Sequence, residues 1–165
     1  MLPIILTANS AAIGLAGQGE GLKRRHALLT EAGVVPVSVT PDAALDGLKL
    51  LFVAGLDADG SEVLAMRARR AGILVNVEDV PALCDFHVPA ILRRGELMFG
   101  VSTGGRAPAL ASRLRQWLGE RFGPEWTAYT ADLGAARENW RRDGIPAAEI
   151  AARTRRLVAE NGWLA

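Results

Sequence analysis

A single cysteine, Cys84, sets the tightest limit on what this chain can do. One thiol closes no internal disulfide and supplies no cysteine-rich metal site, so the fold must rest on its core, and a reducing, cytoplasmic setting is the expectation. Cys84 itself reads as a small packing residue. Histidine is nearly as scarce. His26 falls on a helix surface, and His87, between Phe86 and Pro89, reads as a satisfied or interface side chain, so no metal ligand set is predicted. Neither sign of charge dominates: 19 Lys and Arg against 18 Asp and Glu leave +1, which gives no general attraction to nucleic acid or to a membrane surface. No apolar run approaches the ~20 residues of a membrane span, and MLPIILTANS lacks the basic stretch and the length of a secretory signal, so a soluble protein is expected. What remains is 165 residues with 50% hydrophobic content, enough to bury one core or two small ones.

Taken in order, Leu2 to Leu6 reads as a short apolar strand, Ala8-Asn9-Ser10 as a turn, and Ala11 to Leu15 as a second strand leading into Gly17-Gln18-Gly19-Glu20-Gly21. Helical spacing follows from Leu22 to Ala32 and stops at Gly33. Strand, glycine turn and helix form the context of a dinucleotide fingerprint, in which one glycine makes the turn and the next lets a pyrophosphate reach backbone N–H groups. The match is partial. The third position should be small so that helix and strand pack closely, yet it is Leu22, with Gly21 one place early; a plain tight turn is the alternative. VVPVSVTPD reads as a strand with Pro41 and Asp42 at its tip, about 20 residues on, where a ribose-binding acid is expected or where T-P-D merely starts a turn. Leu50 to Ala54 is the next strand and ends in Gly55-Leu56-Asp57-Ala58-Asp59; Ser61 to Arg70 is an amphipathic helix closed by Gly72, and Ile73 to Val77 is a strand. The pattern predicts an α/β fold with a small doubly wound parallel sheet.

The stretch from Asn76 to Arg115 carries the strongest signals. Its strand delivers Glu78 and Asp79 to the carboxyl edge, where open α/β sheets bind ligands, and Pro81 turns the chain. Alternation along the strand points Glu78 away from the face that Asp79 occupies. A carboxylate at that edge can take a proton; Asp79 can equally cap a turn. Phe86 to Leu92 and Leu97 to Ser102 read as strands around Arg93-Arg94-Gly95. The second runs into Ser102-Thr103-Gly104-Gly105, and Pro108 opens a helix that continues to Arg121, an anion-friendly corner in which Ser102 and Thr103 can also serve as turn and capping residues. Beyond the Gly123-Pro124 break, Trp126 to Arg142 and Ala147 to Asn161 make two helices joined by Asp143-Gly144-Ile145-Pro146. Their arginines are interleaved with acids and read as solvated faces.

N-V-x-D-x-P, C-x-F-x-x-P-A-I and V-S-T-G-G-x-x-P-A-L-A-x-x-L-R, in this order and spacing, resemble the precorrin-2 dehydrogenase and sirohydrochlorin ferrochelatase family, the amino-terminal module of siroheme synthases. The resemblance implies NAD-dependent oxidation of precorrin-2 to sirohydrochlorin, with Fe²⁺ as a substrate where the chelatase activity is present, in the cleft of a homodimer whose exchanged segments lie near Phe86–Ser102. It implies Asp79 as the catalytic residue. For NAD it points to Gly17, Gly19, Glu20, Gly21, Pro41, Asp42 and Asp57, and for the carboxylates of the tetrapyrrole to Ser102, Thr103, Gly104 and Gly105, with Arg106, Arg93, Arg94, Arg113 and Arg115 added by location. Expected segments are a Rossmann-like NAD-binding domain at 1–83, a dimerisation and active-site segment at 84–122, and a helical part at 123–165. Two departures stand out. Only AALDGLK separates Asp42 from the next strand, so the sheet is one unit short, and Leu56 replaces a threonine beside the nicotinamide ribose. These keep two rivals open: a metal chelatase or tetrapyrrole carrier without NAD, and a non-enzymatic dimer that senses NAD.

Overall fold

The computed structural model describes residues 1–164, which fall into two compact units, one from Met1 to Val88 and one starting at Pro89. The segments expected at 84–122 and 123–165 thus share a unit from Pro89 onward; residue 165 lies outside the described residues. The first unit runs β1 (Ala12–Gly17), α1 (Gly19–Glu31), β2 (Val37–Val39), β3 (Leu48–Ala54), α2 (Ala58–Arg70) and β4 (Leu74–Val77). All neighbours pair in parallel in the order β2-β1-β3-β4. This is the small doubly wound α/β sheet predicted.

After the exposed Lys49, the strand β3, LKLLFVA, is apolar without alternation because both its faces are covered, as parallel sheets require. Leu51 and Val53 pack with Val75, Val77 and the inner face of α2, which is Leu64, Ala65 and Ala68. Leu50 and Phe52 pack with Ile13, Leu15 and Leu29 under α1. One helix therefore covers each face. The missing unit is replaced by a short link in which Leu45 drops into the core and Arg67 of α2 donates to the carbonyls of Pro41 and Ala43, the latter at 2.8 Å.

The predicted strand at Leu2–Leu6 does not form; Leu2, Ile4 and Ile5 are exposed. The reason is topological: β1 is already paired on both sides, and Pro3 has no N–H to offer a ladder. The strand predicted from Phe86 begins only at Ala90, because Cys84, Asp85 and Phe86 are used elsewhere, along the outer edge of β4. The Asp85 N–H donates to the Val75 carbonyl at 2.7 Å and the Asp85 carboxylate accepts from the Val75 N–H at 2.9 Å. The Cys84 thiol lies 3.3 Å from the Val77 N–H and donates to the Val77 carbonyl at 3.1 Å, and the Asn76 amide donates to the Phe86 carbonyl at 2.9 Å. Side chains here do the work of an edge strand and leave no sheet edge open beside Asp79.

Asp85 gives this edge a pH dependence. Burial raises its pKa, but the Arg69 hydrogen bond, the Val75 N–H and the Arg69 charge together outweigh burial and hold the carboxyl below its ordinary value of 3.8. A depressed folded-state pKa adds stability that is present above the unfolded value and lost as pH falls through the folded one. Asp85→Asn is expected to lower the urea midpoint at pH 7, an effect of about 1–3 kcal/mol from the weakened Val75 and Arg69 partners. The gap to wild type should close below pH 3.8; a constant gap would show that the carboxylate charge contributes nothing.

The second unit consists of β5 (Ala90–Arg94), β6 (Leu97–Val101), α3 (Pro108–Arg121), α4 (Trp126–Arg142) and α5 (Ala147–Glu160). The two strands form an antiparallel hairpin in which Arg94 pairs with Leu97, so the loop is Gly95-Glu96, with Gly95 at φ 58°. Phe99, Phe122, Trp126, Tyr129 and Trp163 form a chain of ring contacts in this unit, the last pair stacked at 4.5 Å. Among the described residues no helix is long and apolar enough to cross a membrane.

Candidate functional site

In the order β2-β1-β3-β4 the chain reverses direction between β1 and β3, and the crevice at their carboxyl ends is the topological switch point. Two glycines stitch it. A Cβ on Gly17 would lie 1.7 Å from the Ala54 carbonyl oxygen, and one on Gly55 would lie 2.1 Å from the Gln18 carbonyl oxygen, while the Gln18 N–H donates to Ala54 at 3.0 Å. The strand tips cross as close as backbones can. From there α1 starts at Gly19, three residues earlier than predicted, with Gln18 extended at the N-cap and no side chain capping it. Gly19 has φ 64°, and a Cβ there would meet nothing within 4 Å. The first turn of α1 therefore presents unpartnered N–H groups beneath open space, the geometry that suits an anion. Glu20, in that turn, is exposed and ion-paired with Lys23 at 2.6 Å.

Leu22 does not hold helix and sheet apart. It lies partly buried against the α1-side core, and the close approach is made by Gly21, where a Cβ would be 3.3 Å from the Gly55 N–H nitrogen and 2.4 Å from the Glu78 carboxylate. Gly21 thus does the packing expected of the fingerprint's third glycine, one position early in sequence.

The remaining predicted residues of this unit also sit at the carboxyl edge. Pro41 and Asp42 are exposed in the turn after β2 that Arg67 clamps. Asp57, after β3, is the N-cap of α2, its carboxylate accepting from the Gly60 N–H at 2.8 Å; neighbouring Leu56 packs on the core where a threonine was looked for. Asp79, after β4, is exposed, and among the described residues its carboxylate has no hydrogen-bond partner and it is the one non-glycine with positive φ, at 62°. It caps neither the turn nor Pro81. Glu78 continues the alternation of β4, on the side opposite Val77 and its α2-side core. Its carboxylate lies against α1, 3.2 Å from Arg24 and 3.6 Å from Arg25, with 15% of the side chain exposed. Sequence assigned Arg25 no role, Glu78 none beyond its place at the strand end, and Gly55 none beyond the turn after β3; a glycine directly after an apolar strand is the signal that could have marked Gly55.

In the second unit Ser102, Thr103, Gly104, Gly105 and Arg106 share one corner after β6. The Ser102 hydroxyl accepts from the Gly104 N–H at 3.2 Å, the Thr103 hydroxyl from the Ala107 N–H at 3.1 Å, and Gly104 and Gly105 have φ 63° and 77°. The hydroxyls thus shape the loop that leads into α3, and the Gly105 backbone faces open space. Arg106 is exposed beside them. Arg94 is a correction: its guanidinium donates to the Phe122 carbonyl at 2.8 Å and the Gly119 carbonyl at 3.3 Å, capping the C-terminus of α3. Arg113 donates to Gln116 at 3.1 Å. His87 is exposed and the Cys84 thiol is occupied at β4. Among the described residues no group of three or more His, Cys, Asp or Glu is placed to hold a metal ion.

Known proteins resemble this chain along its whole length. Residues 18–90 match a family model described as "Putative NAD(P)-binding". The siroheme synthase of Methylococcus capsulatus is 33% identical over an alignment covering 96% of this chain and 42% of that protein; that of Methylobacillus flagellatus is 34% identical over 69% of this chain and 29% of the relative. The chain spans about two fifths of the length of the first of these. Among solved structures, SirC, a precorrin-2 dehydrogenase, superposes with a TM-score of 0.79 over 100% of this chain and 93% of its own at 18% identity, a likeness of fold.

Proposed function

We propose that this chain, which belongs to the precorrin-2 dehydrogenase and sirohydrochlorin ferrochelatase family, oxidises precorrin-2 to sirohydrochlorin with NAD as hydride acceptor. The observation that carries this reading is the glycine-stitched crevice: an open helix N-terminus at Gly19 and a free carboxylate, Asp79, at one edge of one sheet. The residues fit a dinucleotide. The N–H groups of Gly19, Glu20 and Gly21 would hold its pyrophosphate, Gly17 lets the loop turn tightly enough to present them, and Pro41 and Asp42 would meet the adenosine ribose. Asp57, committed to capping α2, acts on the nicotinamide side by shaping the tip of β3. Bound there, NAD supplies a two-electron acceptor for hydride. As the macrocycle gives up hydride it must also shed a proton, and Asp79 takes it and passes it to solvent, which closes the balance as sirohydrochlorin, NADH and H⁺.

Ser102, Thr103, Gly104, Gly105 and Arg106 are proposed to receive substrate carboxylates through backbone N–H groups and the Arg106 guanidinium. The working protein is proposed to be a cytoplasmic homodimer joined through residues near Phe86–Ser102, with cofactor binding in 1–83, substrate binding in 84–122 and the helices of 123–165 as a supporting part. Ferrous iron enters as a substrate: Asp79 can take the pyrrole protons that iron displaces.

Calorimetric titration with NAD tests the cofactor. The missing unit uncovers the adenosine side, so binding is expected with Kd above about 1 µM. A submicromolar Kd would show that the short sheet costs no affinity, and no binding at millimolar NAD would leave the chelatase or carrier reading in its place. Incubation with sirohydrochlorin and Fe²⁺ tests the second activity separately.

A further inference from the structure

We propose that Glu78 is a positioning residue for Asp79, fastening the tip of β4 to α1 so that the neighbouring carboxylate is held in its left-handed conformation at the cleft. The inference rests on the proton-accepting role of Asp79 proposed above.

Three observations converge on Glu78. Its backbone N–H donates to the Val53 carbonyl at 2.9 Å, one residue beyond the end of β4, so its main chain is fixed by the sheet. Its carboxylate is fixed by α1: Oε2 accepts from Arg24 at 3.2 Å, and Oε1 lies 3.6 Å from Arg25 Nε. Arg25 has only 18% of its side chain exposed and stands over the Phe52 ring at 5.9 Å. Space is reserved for the carboxylate, since any side chain on Gly21 would come within 2.4 Å of it. The next residue, Asp79, has φ 62°, a conformation disfavoured for an L residue unless its neighbours impose it. On its carboxyl side the Val80 N–H donates to Val77 at 3.3 Å and Pro81 follows. Asp79 is thus stretched between two anchored points, and Glu78 is the one that reaches α1, whose first turn is the proposed cofactor cradle. The Arg25 Nε is buried without a hydrogen-bond partner among the described residues, so Glu78 is its compensating charge.

Glu78→Gln keeps the shape and removes the charge; Glu78→Asp keeps the charge on a shorter arm. The Gln variant is expected to lose about tenfold in kcat for precorrin-2 oxidation, because a misplaced base acts inefficiently, with KM for NAD within about twofold. The Asp variant should recover part of the loss. An unchanged kcat, or a loss wholly in KM for NAD, overturns the proposal and assigns Glu78 to the cofactor loop. A second measurement needs no activity. Asp79→Gly relieves the left-handed strain and should raise the thermal midpoint by about 3 °C in the wild-type background, and by clearly less in the Gln background, where the turn is free to relax. Equal shifts overturn the proposal even if Asp79→Asn proves fully active and the base lies elsewhere.

Discussion

Asp79→Asn is expected to lower the rate of precorrin-2 oxidation by about 10²-fold or more, as loss of a general base does, and to leave the thermal midpoint unchanged within error. The expectation of intact folding follows from the surroundings. Asp79 is exposed, its carboxylate has no partner among the described residues, and its φ of 62° is one that asparagine adopts as readily as aspartate. Asparagine therefore keeps shape, backbone conformation and most hydrogen-bonding capacity, and loses only the ability to take a proton. Asp79→Ala is the less clean variant, since a left-handed alanine costs roughly 1–2 kcal/mol and would mix a stability loss into the rate. If the Asn variant keeps near wild-type turnover while Ser102 or His87 substitutions abolish it, the base lies elsewhere and Asp79 only turns the chain.

The second large effect is structural. Gly17→Ala places a methyl carbon 1.7 Å from the Ala54 carbonyl oxygen, a backbone atom with no rotamer to move into, and the left-handed φ of 135° adds its own strain. The tips of β1 and β3 must part, and with them goes the Gln18 to Ala54 hydrogen bond. A loss of about 3 kcal/mol or more, or failure to fold, is expected, together with loss of NAD binding in any folded fraction. Gly134→Ala is the control: in α4 a Cβ meets nothing within 4 Å, so the exchange should stabilise by about 0.5–1 kcal/mol through helix propensity alone. Urea midpoints of the two variants should move in opposite directions. A folded, NAD-binding Gly17→Ala protein would mean that the crevice is looser than its stitching implies.

Much of this architecture could be read before any coordinates. The helix Pro108–Arg121 begins at a proline and the helix Trp126–Arg142 ends before Gly144, and both lie where the sequence puts them. The apolar run Leu50–Ala54 reads as a strand, and the structure makes it a central parallel one. What escaped depends on partners distant in sequence. Leu2–Leu6 looks like a strand, but no free edge of β1 remains for it. Gly19 to Gly21 look like a turn, whereas they are the first turn of α1, with the space that the missing Gly21 side chain leaves filled by the tip of β3 and by Glu78. Alternation puts Glu78 on the side opposite Val77, but does not foretell the arginines of α1 that meet it there. The arginines were the least legible: Arg94 caps α3, and nothing in the sequence separates a capping guanidinium from one that waits for a ligand.

The central claim is that this crevice carries out NAD-dependent oxidation. Precorrin-2 mixed with the protein under anaerobic conditions, with and without NAD, tests it through the absorbance of NADH and of sirohydrochlorin recorded together. One NADH for each sirohydrochlorin, and no conversion above the protein-free rate when NAD is left out, is the predicted result. Sirohydrochlorin formed equally fast without NAD, or precorrin-2 left unchanged in its presence, would contradict it.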